Sequence, residues 1–397
     1  MRMKRILFVE DNDILLQLYG MMLPDDSTGW QATTVSSGRA ALELLRKSPF
    51  DVVASDMWMP GMSGTELLSE VRRLHPQTSR IIISGISDQG EAAEALNCTH
   101  LFIPKPFDAK TLKATLARLS SLDTYLKNDT LRGLAGKMRS LPSFPLLYQQ
   151  IIREIESPNS SLQAIAKIVA QDPGITAKLL QVANSAAIGL PEQVSDPVTA
   201  VQQLGLTTVR SLVLSAQVYS SFQSRCLKHF SADALWSHLM KCGSLARAIM
   251  LHENTGPAEA QDAFTAGLLH DMGKLMLADS LPDEFEQALA LADEEQIPLS
   301  DAEQEIFGAT HAGLAAFLFG LWGLPAAMVE AVAFHHEPEK SDLKQFSPLT
   351  AVHVANVLCG ENQAGTLNLD YLRQIGVASR LDAWREIGSE LELQPVA

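Results

Sequence analysis

"AGLLHDMGKLML", residues 266–277, is an apolar stretch with helical spacing that contains His270, Asp271 and Lys274. Imidazole and carboxylate groups bind divalent transition metals, and they are costly to bury in an apolar helix without a partner. Lys274 lies three positions after Asp271 and would face the same side of a helix. The stretch therefore predicts a helix within a helical unit that is built around a polar, metal-type centre.

The histidines of the chain are concentrated around this stretch. Seven of the ten lie between residues 238 and 353, namely His238, His252, His270, His311, His335, His336 and His353. A single histidine is more often a core or surface side chain, but several imidazoles and a carboxylate at the inward ends of packed helices can hold one or two divalent ions. A water bound between two such ions is a hydrolytic nucleophile. The set predicts an inherited metal site, and its catalytic competence stays an open alternative.

The sequence on both sides of this stretch is helical in pattern. Residues 131–397 place apolar residues at three- and four-residue spacing, as in "LQAIAKIVAQ" (162–171) and "VRSLVLSAQVY" (209–219), and prolines divide the segments. We find no alternating β pattern of any length and no repeat of fixed period. The pattern predicts an all-α domain.

The first 120 residues have a different pattern, in which strand-like and helix-like segments alternate. The strand-like segments include "RILFV" (5–9), "DVVASD" (51–56) and "RIIIS" (80–84), which are almost continuously apolar. This alternation predicts a doubly wound, five-stranded parallel sheet, whose ligands lie at the carboxyl ends of the strands. The polar residues at these strand ends are Glu10, Asp11, Asp56, Ser84 and Lys105.

These strand-end residues indicate a particular chemistry. Three carboxylates in one pocket repel one another, and a hard cation such as Mg²⁺ relieves the repulsion. An exposed carboxylate beside Mg²⁺, a lysine and a hydroxyl is what phosphoryl transfer to an aspartate requires. Helix capping is the alternative for any one of these acids, but it does not explain all five residue types together.

The composition limits the class of protein to which the chain can belong. The 397 residues predict two or three domains, and 46% hydrophobic with 19% charged residues is typical of a globular protein. We find neither a signal pattern nor an uncharged apolar run of membrane length, and we expect a cytoplasmic protein without a membrane segment. The cysteines lack a CxxC pair, and we expect buried thiols rather than a zinc knuckle or a disulfide framework. They are Cys98, Cys226, Cys242 and Cys359.

The charge distribution argues against nucleic-acid binding. The net charge is −15, and residues 121–397 contain 18 basic and 32 acidic residues against 13 and 14 in residues 1–120. Repulsion from phosphates is therefore not offset in the second part of the chain. "VQQLGLTTVRSLVLSA" (201–216) resembles a helix-turn-helix segment, but Arg210 is its only basic residue. We do not expect direct contact with nucleic acid.

Nearly all of the first 120 residues resemble a response-regulator receiver domain. The match includes the strand-end residues and the loop "MWMPGMSG" (57–64). The resemblance implies that Asp56 accepts a phosphoryl group, with a cognate sensor histidine kinase as the partner. It implies further roles: Mg²⁺ ligands Glu10, Asp11, Asp56 and the Met57 carbonyl, switch residues Ser84 and Phe102, and the phosphate-contacting Lys105.

The histidine set of the second part resembles the HD superfamily of metal-dependent phosphohydrolases, which includes the HD-GYP enzymes that cleave cyclic di-GMP. The resemblance implies a candidate metal site of His238, His270, Asp271, His311, His335, His336 and Asn356, with Lys274 as a candidate phosphate contact. The family closes this set with an aspartate, where this chain has Asn356, and the glycine-tyrosine-proline loop is missing. A neutral amide is a poor substitute for a bridging carboxylate, and this puts metal affinity in doubt.

Separated motifs indicate which branch of the superfamily this is. "SLPSFP" (140–145), "IVAQDPGITAKLLQVANSA" (168–186) and "SDPVTAVQQLGLTTVRSLVL" (195–214), followed by "GLLHDMGKL", resemble the HDOD family from about residue 137 to 359. HDOD domains are regarded as signalling or scaffolding modules. We therefore expect a receiver domain over residues 1–122, a helical linker over 123–136 and an HDOD domain over 137–397. The linker is either a lever between phosphorylation and output or a solvated tether.

Two readings of the output domain remain. In the first, the protein is a response regulator of a two-component phosphorelay, and its HDOD domain is a non-catalytic module that binds a protein or a nucleotide-like ligand. In the second, the domain still holds a divalent transition metal and hydrolyses a phosphoester such as a cyclic dinucleotide. Asn356 favours the first reading, whereas Lys274 and the His270–Asp271 pair favour the second. Because receivers often dimerise, a homodimer is a further expectation.

Overall fold

The computed structural model describes the chain outside residues 1–2, 24–28, 76–77, 85–98, 100, 111, 114, 117–130, 132–133, 135–145, 158–159, 173–174, 177–178, 181–182, 184–193, 221–229, 323, 361–365 and 393–397. The side chains of residues 84, 101, 102, 104, 146, 156, 220, 321 and 392 are also outside the description. The chain forms two compact units. The first contains Met1–Phe144, and the second contains Pro145–Ala316 and Leu324–Ala397.

The first unit is an α/β sheet domain, as the alternating pattern predicted. Its elements are β1 (Lys4–Val9), α1 (Asp13–Met22), β2 (Trp30–Val35), α2 (Gly38–Lys47), β3 (Val52–Asp56), α3 (Gly64–Leu74), β4 (Ser79–Ser84) and β5 (Leu101–Pro104). The strands pair in parallel in the order β2-β1-β3-β4-β5. This order reverses direction at β1, so the carboxyl ends of β1 and β3 border the crevice where such folds bind ligands.

The centre of the sheet is buried because helices cover it. All five residues of β3 and the last four of β1 are buried, as expected for parallel strands with both faces covered. Ser63 caps α3 reciprocally with Glu66, since the Ser63 N–H donates to Glu66 Oε2 at 2.9 Å and the Glu66 N–H donates to Ser63 Oγ at 3.2 Å. The cap fixes the turn that follows Asp56.

The second unit is built from helices, as predicted. Its described helices are α4 (Leu146–Glu156), α5 (Leu162–Val169), α6 (Pro197–Ser220), α7 (Ala232–His252), α8 (Pro257–Leu269), α9 (Met272–Ser280), α10 (Pro282–Glu295), α11 (Leu299–Phe307), α12 (His311–Leu321), α13 (Ala326–Phe334), α14 (Pro348–Cys359), α15 (Leu369–Gln374) and α16 (Leu381–Glu392), with 3₁₀ turns at Pro338–Lys340 and Ala378–Arg380. Helix α7 packs on both α8 and α14. Among the described helices, none is long and apolar enough to cross a bilayer.

Two sequence predictions need correction. Residues 266–277 do not form one helix: α8 ends at Leu269, His270 and Asp271 form a turn, and α9 begins at Met272. The Asp271 backbone, at φ −102° and ψ 5°, lies outside helical geometry and turns the chain there. The buried-thiol prediction is correct for Cys242 but wrong for Cys359, which is partly exposed; Cys98 and Cys226 lie outside the described residues.

Some predictions fall where the structure gives no description. Most of the predicted linker, residues 123–136, lies outside the described residues, as does the continuation of the receiver's last helix to residue 126. The side chains of the predicted switch residues Ser84 and Phe102 also lie outside them. The domain boundaries and the lever therefore stay predictions.

Candidate functional site

The carboxylates predicted from the first unit meet at the carboxyl ends of β1 and β3. Ligand atoms of Glu10, Asp11 and Asp56 lie within 4.8 Å of one another. Glu10 and Asp56 are buried and Asp11 is exposed. The Trp58 N–H donates to Asp56 Oδ2 at 3.1 Å and holds this carboxylate in place. The cluster has the acidic oxygens that a hard divalent cation requires.

Lys105 lies between two of these carboxylates. Its Nζ is 2.7 Å from Glu10 Oε2 and also pairs with Asp56 Oδ1. Burial raises the pKa of Glu10 despite the Lys105 hydrogen bond. Burial alone would lower the pKa of Lys105, but Asp56 and Glu10 outweigh it and raise the pKa. One ammonium does not neutralise three carboxylates, so the residues fit a Mg²⁺ ion, with the predicted Met57 carbonyl accepting the Gly64 N–H at 2.9 Å beside them.

Tyr19 is a neighbour of this cluster that sequence reasoning missed. Its hydroxyl donates to Glu10 Oε2 at 3.4 Å, and its ring stacks on Phe107. Burial, together with the nearby carboxylates of Glu10 and Asp56, raises the pKa of Tyr19. Its position in α1 carries no pattern that distinguishes it from a core residue, so only the fold reveals the contact.

In the second unit, the ends of several helices bring the predicted histidines together. His238 lies on α7, His270 and Asp271 form the turn between α8 and α9, and His311 begins α12. The remaining members, His335, His336 and Asn356, follow α13 or lie on α14. Ligand atoms of Asp271, His311, His335 and His336 lie within 4.8 Å of one another, and those of His238, Cys242 and His270 form a second such group. The structure thus assembles the predicted set as two adjoining groups.

Asp271 is central to the first of these groups. Its Oδ1 lies 3.0 Å from His311 Nε2 and 3.5 Å from His335 Nε2. Its Oδ2 lies 2.6 Å from Lys274 Nζ, as the three-residue spacing predicted. Burial would raise the pKa of Asp271, but Lys274 and the neighbouring histidines lower it well below its ordinary value. The carboxylate is therefore ionised, with one oxygen paired to Lys274 and the other facing imidazoles.

The hydrogen bonds of two imidazoles fix which nitrogen faces the centre. His270 Nδ1 and His335 Nδ1 each lie 2.8 Å from a backbone carbonyl, of Gly267 and Val332 respectively. A carbonyl oxygen only accepts, so these Nδ1 atoms carry the protons and the neutral rings present Nε2 lone pairs to the centre. Histidines that ligate metals are held in this way.

His311 is held by Glu303, a buried residue that sequence reasoning missed. Glu303 Oε2 accepts the His311 N–H at 2.8 Å and lies 2.6 Å from His311 Nδ1. Carboxylate–histidine pairs of this kind orient metal ligands and raise their basicity. Glu303 precedes His311 by eight residues on another helix, a separation that no local periodicity marks.

Unpaired atoms test whether a cation fits the first group. Among the described atoms, Asp271 Oδ1 and His335 Nε2 are buried without a hydrogen-bond partner. Both are acceptors, and two buried acceptors at 3.5 Å are unfavourable unless something positive lies between them. The donor set of Asp271, His311, His335 and His336 therefore fits a divalent transition metal.

The second group, which surrounds Asn356, does not fit a cation in the same way. Its Oδ1 lies 3.0 Å from His238 Nε2 and 3.3 Å from His270 Nε2, where the HD pattern has a carboxylate. Within the described part of the chain, the buried Asn356 Nδ2 has no hydrogen-bond partner. The amide lacks the negative charge of the family's aspartate, so the group around His238 and His270 does not fit the family's carboxylate-based ion.

His353 has a structural role. Its Nδ1 donates to the His335 carbonyl at 2.7 Å, and its Nε2 accepts the Asn368 N–H at 3.1 Å. Both ring nitrogens are used, and the contact fixes the backbone of His335. This agrees with its omission from the predicted ligand set.

A cavity of about 360 Å³ opens onto this centre. Its lining includes His238, Lys241, Asp271, Lys274 and Asn356. Lys241 is another residue that the sequence reasoning missed, since an exposed lysine on a helix has no distinguishing pattern. Lys274 is paired to Asp271 in this lining, so Lys241 supplies the net positive charge that an anionic ligand would meet.

We predict that acid destabilises the helical unit. Burial lowers the pKa of His270 and His336 well below the ordinary value, and it also lowers that of His335 and His353. These rings stay neutral when folded but bind protons when unfolded, so stability falls as the pH falls through the ordinary histidine range. The slope is about 1.4 kcal/mol per pH unit for each excluded proton. Denaturant titrations between about pH 7 and pH 5.5 measure it.

The contribution of His311 to stability has the opposite pH dependence, and this residue provides the control. Burial opposes its charged form, but Glu303 and Asp271 raise the pKa of His311 above its ordinary value. Its contribution is fully present below the unfolded pKa and is lost as the pH rises through the folded pKa. A Glu303→Gln variant removes this contribution, and its stability should fall more steeply with acid. A variant with a shallower acid dependence than the parent would contradict the assignment.

Comparisons with known proteins agree with both halves of this description. The family model described as "Response regulator receiver domain" matches residues 6–117, and the model described as "HDOD domain" matches residues 141–338. The fold and the two sites therefore define a receiver-containing signalling protein. The chain is a response regulator that combines an N-terminal receiver domain with a C-terminal HDOD domain.

Individual relatives match parts of the chain. An "Uncharacterized protein" of Treponema pallidum (strain Nichols) is 26% identical over 226 residues, 56% of this chain and 43% of that protein. "Transcriptional regulatory protein ZraR" of Escherichia coli (strain K12) is 36% identical over 128 residues, 32% of this chain and 29% of that protein. The chain thus spans less than half the length of these curated relatives. A crystal structure of an HDOD domain protein from Geobacter sulfurreducens covers 68% of this chain and 94% of its own at 24% identity and a TM-score of 0.54, which shows the fold.

Proposed function

We propose that Asp56 accepts a phosphoryl group from a sensor histidine kinase and that phosphorylation controls the HDOD domain. The observation that carries this proposal is the position of Asp56 between the acidic pair Glu10 and Asp11 and the ammonium of Lys105. An isolated strand-end carboxylate would need neither partner. The surroundings supply the two elements of phosphoryl transfer, a cation site and a fixed positive charge.

The chemistry at Asp56 follows from these neighbours. Glu10, Asp11, Asp56 and the Met57 carbonyl would hold Mg²⁺, which neutralises phosphoryl oxygens when bound. An Asp56 oxygen attacks the phosphorus of the phosphohistidine, the nitrogen–phosphorus bond breaks, and an acyl phosphate forms. Lys105, already paired to Asp56, turns to the phosphoryl oxygens and stabilises their added charge. We propose that Ser84 and Phe102 then move and change the receiver surface.

We propose that the HDOD domain is a binding module for a phosphate-bearing ligand or a protein partner. The cavity at its centre presents Lys241, Lys274 and His238 in a domain that is otherwise acidic. Asn356 removes one of the carboxylates on which the related hydrolases depend, which supports binding rather than catalysis. Phosphorylation would act on this module through the segment after residue 108.

A metal-dependent phosphohydrolase is the second candidate. The specific observation in its favour is the intact group of Asp271, His311, His335 and His336, whose ligand atoms converge. Among the described atoms, two acceptors of this group, Asp271 Oδ1 and His335 Nε2, are buried without a hydrogen-bond partner. Lys274, beside Asp271 and in the cavity wall, could contact a phosphate there. Release of nitrophenol from bis(p-nitrophenyl) phosphate by Mn²⁺-loaded protein would support this candidate.

Phosphoryl uptake tests the proposed function. We expect the full chain to incorporate phosphate from acetyl phosphate with Mg²⁺, as a gel-mobility shift on a phosphate-binding gel, and Asp56→Asn to lose the shift completely. Asp13→Asn, the same change at an exposed residue at the start of α1, should behave like the parent. If Asp56→Asn still took up phosphate, and hydroxylamine, which cleaves acyl phosphates, removed it from the variant, the phosphoryl group would lie on another carboxylate.

A further inference from the structure

Tyr19 is a buried tyrosine of α1 whose hydroxyl reaches the acidic cluster of the first unit. The residue is 3% exposed, and its hydroxyl donates to Glu10 Oε2 at 3.4 Å. Lys105 Nζ donates to the same oxygen at 2.7 Å. Within the described part of the chain, these are the two side chains that donate to Glu10 Oε2. One of the predicted cation ligands is therefore held by a neutral donor as well as by a charged one.

Aromatic packing fixes the Tyr19 ring in this place. The ring centroid lies 5.3 Å from that of Phe8 on β1 and 5.4 Å from that of Phe107, and the Tyr19 and Phe107 planes differ by 23°. Phe107 follows Lys105 by two residues, so the ring joins α1 to the segment that carries the lysine. A ring that packs against two others in a dense interior has little freedom to turn its hydroxyl away from Glu10.

The hydroxyl of Tyr19 is not needed for this packing. A phenylalanine at this position would offer the same ring surface to Phe8 and Phe107 and would bury no polar atom. A buried hydroxyl is costly unless it is hydrogen-bonded, and the partner here is a carboxylate of the cluster. Burial and the charges of Glu10 and Asp56 raise the pKa of Tyr19, so the hydroxyl keeps its proton and stays a donor. The hydroxyl therefore serves the carboxylate rather than the core.

Phosphoryl transfer would change the partners of Glu10. Lys105 pairs with both Glu10 and Asp56 here, and in the proposed reaction it turns to the phosphoryl oxygens. Glu10 Oε2 then loses its ammonium partner. Among the described residues, the Tyr19 hydroxyl is the side-chain donor that remains on this oxygen. A hydrogen bond from outside the coordination shell fixes the orientation of a carboxylate that ligates a cation.

We propose that Tyr19 is a positioning residue of the phosphorylation site, whose hydroxyl holds the Glu10 carboxylate in the orientation that binds Mg²⁺ when Lys105 turns to the phosphoryl group. This role rests on the proposed phosphorylation of Asp56, and it gives Tyr19 no contact with the phosphoryl group itself. The main consequence is for cation affinity, to which partners of this kind contribute about 10- to 100-fold. Because the Tyr19–Glu10 bond is long, at 3.4 Å, the lower end of that range applies.

Mg²⁺ titration of the full chain, without a phosphodonor, measures this affinity. The Trp58 N–H donates to Asp56 Oδ2 and its side chain is half exposed, so its fluorescence should respond to a cation at this site. Comparison with Trp58→Phe separates this response from that of the other four tryptophans. We expect Tyr19→Phe, which keeps the ring and its packing, to bind Mg²⁺ about 10-fold more weakly than the parent.

Phosphoryl uptake from acetyl phosphate provides the second readout. In Tyr19→Phe, the Mg²⁺ concentration for half-maximal uptake should rise about 10-fold, whereas the rate at saturating Mg²⁺ should stay within about 2-fold of the parent. A purely structural role would lower the stability or the saturating rate and leave the Mg²⁺ requirement unchanged. Tyr371→Phe is the matched control, because it removes a buried tyrosine hydroxyl that pairs with Thr350 in the helical unit. Its Mg²⁺ affinity should equal that of the parent.

Two failures are distinguishable. If Tyr19→Phe bound Mg²⁺ within about 2-fold of the parent, or if Tyr371→Phe lost as much affinity, the role of Tyr19 would be overturned while phosphorylation of Asp56 stood. A parent chain that took up no phosphate would instead contradict the proposed function, and the role of Tyr19 with it.

Discussion

Replacing Gly273 by alanine is expected to lower the free energy of unfolding of the helical unit by about 3 kcal/mol, the upper end for overpacking. A Cβ at this position would overlap the carbonyl oxygen of His311 and lie 2.9 Å from its Cα. Because the obstacle is backbone, no side-chain rotation can relieve it. Either α9, which directly follows Asp271, or the start of α12, which carries His311, must move. Denaturant unfolding followed by circular dichroism measures the loss.

Gly388→Ala is the matched control for this prediction. Gly388 lies in α16, and a Cβ there would meet the Leu245 side chain at 3.5 Å, an ordinary contact. Alanine in a helix is favoured over glycine by up to about 1 kcal/mol, so this variant should be more stable than the parent. Equal stabilities for Gly273→Ala and the parent would mean that the His311 backbone can withdraw, contrary to the packing described.

Asp271→Ala is expected to lower the free energy of unfolding by about 3 kcal/mol, the usual cost when one partner of a buried ion pair is removed. The carboxylate is 1% exposed, and Lys274, 16% exposed, pairs with it at 2.6 Å. Without Asp271, the Lys274 ammonium lies in the helix junction uncompensated. The variant should also lose any metal held by the histidines of this group, because Asp271 Oδ1 is their only carboxylate neighbour among the residues of that group.

A double variant separates the charge from the lost volume. Asp271→Ala combined with Lys274→Met should recover more than half of the lost stability, because the second change removes the uncompensated ammonium. Additive losses would show that Asp271 is not coupled to Lys274. Asp293→Ala, at an exposed position on α10, should stay within about 0.5 kcal/mol of the parent.

The sequence by itself determined the class of each domain. Continuous apolar runs such as "RIIIS" specify buried parallel strands, and polar residues at their ends must meet at one edge of the sheet, which located Glu10, Asp56 and Lys105. Three- and four-residue spacing specified the helices in the same way. The histidines were visible as a set because imidazoles in apolar segments are conspicuous. These patterns are local, and they can be recognised in the sequence without knowledge of the fold.

Only the tertiary structure decided which chemistry each residue meets. Glu303 and Tyr19 have ordinary positions in ordinary helices, and their roles arise from contacts with residues on another element. The break at His270 and Asp271 was hidden because an apolar run continues across it, and the packing of Gly273 against His311 became visible only once α9 met α12. Side-chain periodicity reports which face of an element is buried, but not what that face is buried against.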